Sequence, residues 1–180
     1  RGGPPVWGAE AAAFADRSAL QTALFGCVGA CGGALTAPGT DRSYCEHSNN
    51  GPWETGTGAG CDAASTNGVI GAWDVARVTT MRNVFWSAEA FDQDLSAWDV
   101  AQVSDMSRMF SDAEAFNRDL STWSVGRVTI MKDMFCGASA FNTDISKWNV
   151  SRVTDMAAMF SSASTFDQDL SEWDVGQVTT

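Results

Sequence analysis

Cys27, Cys31, Cys45 and Cys61 share one stretch of a 180-residue chain with Tyr44 and His47, its single tyrosine and single histidine. Thiols beside an imidazole can hold zinc, close disulfides, or act as a nucleophile with its base. Zinc sites favour tight C-x-x-C pairs, and this stretch has none. A catalytic pair needs a rigid scaffold, whereas this sequence is rich in Gly, Ser, Thr and Asn. Disulfides among these four cysteines are the expected use, with zinc (His47 as an extra ligand) the rival. Spacing does not choose the pairing. Such staples suit an oxidising, secreted setting. No phosphate-cradling Gly loop opens a helix, so the expectation is no enzyme, no cofactor and no metal.

A second candidate chemistry is the column Asp94, Asp119, Asp144 and Asp169, each followed two residues later by Ser96, Ser121, Ser146 or Ser171. Calcium wants six to eight converging oxygens, and one carboxylate per repeat is thin for that. The expected role is a turn in which carboxylate and hydroxyl satisfy backbone N–H groups of the adjoining coil.

Both columns are consequences of a ruler. Trp73, Trp98, Trp123, Trp148 and Trp173 lie 25 residues apart, and their neighbours keep the spacing. A fixed period of this length marks a solenoid, each unit one element stacked on the last. Within residues 95–119, Leu95, Trp98, Val100 and Val103 follow the strand half of a leucine-rich repeat. Met106, Met109, Phe110 and Ala113 fall at i, i+3, i+4 and i+7, one apolar helix face. Thr79, Ser104, Thr129 and Thr154 stand where N-caps belong. The expected fold is an α/β repeat solenoid, leucine-rich-repeat-like. Each 25-residue coil should hold one short parallel strand and one short helix, behind an N-terminal capping helix.

The expected domains are a linker over 1–9, the capping helix over 10–28, a cysteine-containing loop over 29–66, and the solenoid over 67–180 (four coils and a truncated fifth). Leu20, Leu24, Cys27 and Val28 give residues 10–28 an apolar face. Leu24-Phe25-Gly26-Cys27 resembles a lipoprotein cleavage site, but the apolar run before it is short, so an amphipathic helix is expected instead. The chain opens on Arg1 and stops at Thr180 inside a repeat, which points to a fragment of a longer protein. Net charge is −11 and the pI about 4.3. Phosphate binding needs Lys and Arg clusters, so nucleic acid is not an expected partner. No apolar run is long enough to span a bilayer.

The string Trp148-Asn-Val-Ser-Arg-Val-Thr-Asp-Met-Ala-Ala-Met-Phe160, followed by Phe166-Asp-Gln-Asp-Leu-Ser-Glu-Trp173, resembles the BspA-like leucine-rich-repeat surface proteins. The resemblance is to their 25-residue type, a domain of unknown function of mycoplasma surface lipoproteins, and it covers about residues 67–180. It implies an extracellular or cell-surface solenoid used in adhesion, with no catalytic residues to carry over. One departure is that Val78, Val103, Val128, Val153 and Val178 occupy the position where leucine-rich repeats place Asn.

The expected function is therefore a binding module for a protein or glycan ligand. The recognition face is the polar edge of the strands: Asp74, Arg77, Asp99, Gln102, Ser124, Arg127, Asn149 and Arg152. The alternative is a structural spacer or wall component. Ice binding through the threonine column is a weaker idea, because N-capping would occupy those hydroxyls. Asn149-Val150-Ser151 is also a glycosylation sequon.

Overall fold

Apolar side chains recur every one to four residues through each unit, and a chain that buries all of them must turn repeatedly. A computed structural model describes residues 70–180. The expected linker, capping helix and cysteine loop, with Cys27, Cys31, Cys45 and Cys61, lie outside the described residues. In the unit from Leu95, the side chains of Leu95, Trp98, Val100, Val103, Met106, Met109, Phe110, Ala113 and Phe116 are all buried.

Two sets of backbone bonds organise the unit. The first closes tight turns: Trp98 N–H to Leu95 O, Val103 to Val100, Met109 to Met106, Ala113 to Phe110 and Phe116 to Ala113, at 2.9–3.1 Å. The second joins units in register. Met106, Arg108 and Phe110 donate to Ile130, Lys132 and Met134 at 2.9 Å, and Asp112 donates to Cys136 at 2.7 Å. Parallel bridges Thr80–Asp105, Asp105–Ile130 and Ile130–Asp155 continue the ladder.

The strand and helix expected in every unit do not form among the described residues. The one regular element there is a 3-10 turn, Ile70–Ala72. Strands are excluded because the Leu95–Trp98 and Val100–Val103 turns bend the chain before a ladder can lengthen. The helix is broken by left-handed backbone in two columns. Asn83, Arg108, Asp133 and Ala158 form one, and Ser87, Asp112, Gly137 and Ser162 the other, with φ of 53–72°. Each sits third in a four-residue turn, where a type II turn demands positive φ.

Spacing supplies the physical reason. Packed helices need 8–10 Å between axes, whereas laddered backbones sit about 4.7–4.9 Å apart. The rings of Phe110 and Phe135 have centroids 5.6 Å apart, and those of Phe85 and Phe110 5.3 Å. A helical layer would pull these stacks open, so turns replace it. The periodicity i, i+3, i+4, i+7 fits a run of turns as well as a helix.

The tryptophans tie the units from inside. The indole N–H groups of Trp98, Trp123, Trp148 and Trp173 donate to Ile70, Leu95, Leu120 and Ile145 carbonyls at 2.8–3.1 Å. Leu95 O thus accepts twice, from its own turn and from the next unit's indole. A buried indole N–H without such a partner would be costly. The valine column lies beside it, with Val78, Val103, Val128 and Val153 fully buried.

Left-handed backbone costs a side-chain-bearing residue about 1–2 kcal/mol, offset in part by the entropy glycine would lose. Gly137 already relieves its column, and a Cβ there would run into the Asp112 carboxylate. Ala158, exposed at φ 53°, has no polar side chain to compensate. Ala158→Gly should raise stability by about 0.5–1 kcal/mol. The check is a higher urea midpoint at unchanged slope.

Candidate functional site

Three columns run side by side along the expected recognition face. Asp74, Asp99, Ser124, Asn149 and Asp174 form the first, and four of them fold back on their own turn. Oδ1 of Asp74, Asp99, Asn149 and Asp174 accepts the backbone N–H two residues on at 3.0–3.2 Å. Ser151 Oγ also donates to Asn149 Oδ1 at 2.7 Å. These side chains are braced, because a short polar group closing its own turn has little freedom left.

The second column is Arg77, Gln102, Arg127, Arg152 and Gln177, all exposed. The Arg127 guanidinium donates to Gln102 Oε1 one unit back. Of the eight expected face residues, Asp74 is half-buried and the other seven are exposed. The structure therefore brings them onto adjoining rungs of one surface.

The third column, Thr79, Ser104, Thr129, Thr154 and Thr179, corrects the expected N-caps. Each hydroxyl from Ser104 onward donates to the carbonyl of its equivalent one unit back, at 3.1–3.2 Å. The backbone N–H groups of the same residues donate there too, at 2.8–2.9 Å. No helix follows for them to cap. One residue later the side chain closes a turn instead: Asp105 and Asp155 accept from Ser107 and Ala157 N–H at 2.8 and 3.0 Å.

The Asp94 column also closes turns, but within its own unit rather than toward the adjoining one. Ser96, Ser121, Ser146 and Ser171 N–H groups donate to it at 2.8–2.9 Å. These bonds hold the carboxyls below their ordinary range. The serine N–H is the leading cause for Asp94 and Asp169, and the serine hydroxyl for Asp119 and Asp144. Among the described residues no three His, Cys, Asp or Glu side chains converge to hold a metal. Cys136 is a half-buried free thiol, pushed up by burial and then by the Asp112 and Asp133 carboxylates.

One ladder was not anticipated from sequence. Asp92, Asn117 and Asn142 accept through Oδ1 the N–H of Asn117, Asn142 and Asp167, one unit on, at 2.9–3.1 Å. The signal was present, since Asx recurs there every 25 residues. The amide ladder missing at the valine column stands here instead. Arg118 reinforces it, pairing with Asp92 at 2.7 Å.

A family model described as "Mycoplasma protein of unknown function, DUF285" matches residues 59–143 and 120–180. The chain belongs to the DUF285 family. Its two overlapping matches span the whole described DUF285 ladder and begin before it. No curated protein and no solved structure matches the chain. Among the described residues, no helix of this DUF285 protein is long and apolar enough to cross a membrane.

Proposed function

We propose that this DUF285 chain is an extracellular or cell-surface binding module, a repeat solenoid of the BspA-like leucine-rich-repeat kind. Its ligand is a protein or glycan, met through the Asp74–Arg77 face and its repeats, without catalysis. The observation that carries the reading is the register of that face. Thr129 N–H donates to Ser104 O and Thr154 N–H to Thr129 O, both at 2.8 Å. This fixes Gln102, Arg127 and Arg152 on adjacent rungs. Backbone held this way need not be ordered again when the face meets a ligand.

The face is polar and lacks an aromatic platform, which suits a broad interface rather than a deep small-molecule pocket. A spacer with no ligand is the second reading. It draws support from the scarcity of apolar anchors: among the described residues the exposed large hydrophobic is Val175, at 50%. A screen against surface proteins and glycans separates the two. Binding should be lost with Arg127→Glu and with Asn149→Trp, while both variants keep the wild-type unfolding midpoint. A detected ligand whose affinity survives both changes would place recognition elsewhere.

A further inference from the structure

The repeat changes charge in one place. Along the first face column the carboxylates of Asp74, Asp99 and Asp174 are interrupted only at Ser124 and Asn149. Along the second, Arg77 stands next to Gln102, and Arg152 is followed by Gln177. The two arginines on directly adjacent rungs are Arg127 and Arg152. Both coincidences fall on the same two units. There the face of a chain with net charge −11 lacks its first-column carboxylates and stacks two cations in the second column.

Stacking them is unfavourable by itself. Rungs lie about 4.7–4.9 Å apart, and like charges facing across a ladder destabilise it. Neither arginine belongs to the ion pairs Arg108–Asp133 and Arg118–Asp92. Arg127 turns to the neutral Gln102 amide instead. Asp155 lies three residues beyond Arg152, but its Oδ1 accepts from Ala157 N–H.

We infer that Arg127 and Arg152 form an anion-recognition pair for an acidic glycan, a polymer carrying carboxylates along its chain. The inference rests on the binding-module reading and names the chemistry of its ligand. Guanidinium groups bind carboxylates in fork geometry. Hydroxyl and amide groups of Ser124 and Asn149 border the pair and suit sugar hydroxyls. A peptide or protein ligand anchors largely on aromatic and apolar side chains, and the exposed large hydrophobic among the described residues, Val175, lies one unit beyond the pair.

The test uses the full chain with an oligomer of galacturonate, its methyl ester and a poly-glutamate peptide, by calorimetry at low and physiological salt. The free-acid oligomer should bind, weaken with salt, and be matched by neither the ester nor the peptide. Arg127→Gln with Arg152→Gln should weaken it about tenfold or more. Arg127→Lys with Arg152→Lys should keep part of the affinity, and Lys132→Gln, at an exposed cation outside the three face columns, nearly all of it. No binding by wild type overturns the inference, as does equal binding of ester or peptide, or indifference to the double glutamine change. A neutral glycan or protein ligand lost with Asn149→Trp, alongside no uronate binding, would sink this inference and leave the binding-module reading standing.

Discussion

Trp123→Ala should cost about 3–5 kcal/mol, the usual toll for emptying a large aromatic site. That is a large share of the roughly 5–15 kcal/mol that holds an ordinary domain together. The Trp123 side chain is 4% exposed. Its ring stacks on Trp148 at 6.5 Å and tilts against Phe110 at 6.2 Å. Its N–H reaches back to Leu95 O at 3.0 Å. Trp123→Phe separates the two contributions. It keeps a ring in the stack and removes the donor, yet Leu95 O retains the Trp98 N–H. No acceptor is orphaned, so the loss should stay near about 1–2 kcal/mol. Urea unfolding followed by circular dichroism reads both. A Trp123→Ala protein within about 1 kcal/mol of wild type would show that indole burial is not what binds the units.

Removing residues 109–133, one full 25-residue unit, should leave a protein that still unfolds cooperatively. Arg108 would then join Met134, which occupies the column of Met109. Every ladder bond finds its equivalent, and the urea slope falls because less surface is buried. Removing one residue fewer, 109–132, joins Arg108 to Asp133. Both belong to the same left-handed column. Alternate residues donate to the next unit, so the extra residue sets the rest of that segment one place out of register with its ladder partners. Met134 and Phe135, both fully buried, would lose their places. The expected cost is about 3–5 kcal/mol relative to the full-unit deletion. Equal stability of the two deletions would mean that the 25-residue register is not enforced.

Much of this was legible because burial follows spacing. Trp98, Val100, Val103, Met106, Met109, Phe110 and Phe116 could be assigned to the interior before any coordinate, and all seven are buried. The backbone that carries them could not. Apolar residues at helical intervals also fit consecutive type II turns, and only the distance between stacked rings decides. A clue lay in the turn columns. Asn83, Asp112, Asp133 and Gly137 are residues that tolerate positive φ, but Arg108 and Ala158 in the same columns blurred it. The threonine column misled for a related reason: a hydroxyl before an apolar run reads as a cap unless the preceding unit offers a carbonyl first. On the proposed recognition face, sequence identified exposed columns, but the relief of acidic charge at Ser124 and Asn149 gained meaning only when those rungs became neighbours.

Because each unit's indole reaches back while its alternate N–H groups reach ahead, the seams between units are loaded in series when the two ends are drawn apart. The weakest seam opens first and the remainder stay shut. Each release pays out about 80–90 Å of chain for 25 residues. A tether built this way yields in steps under tension, and closes again rung upon rung when the pull relaxes.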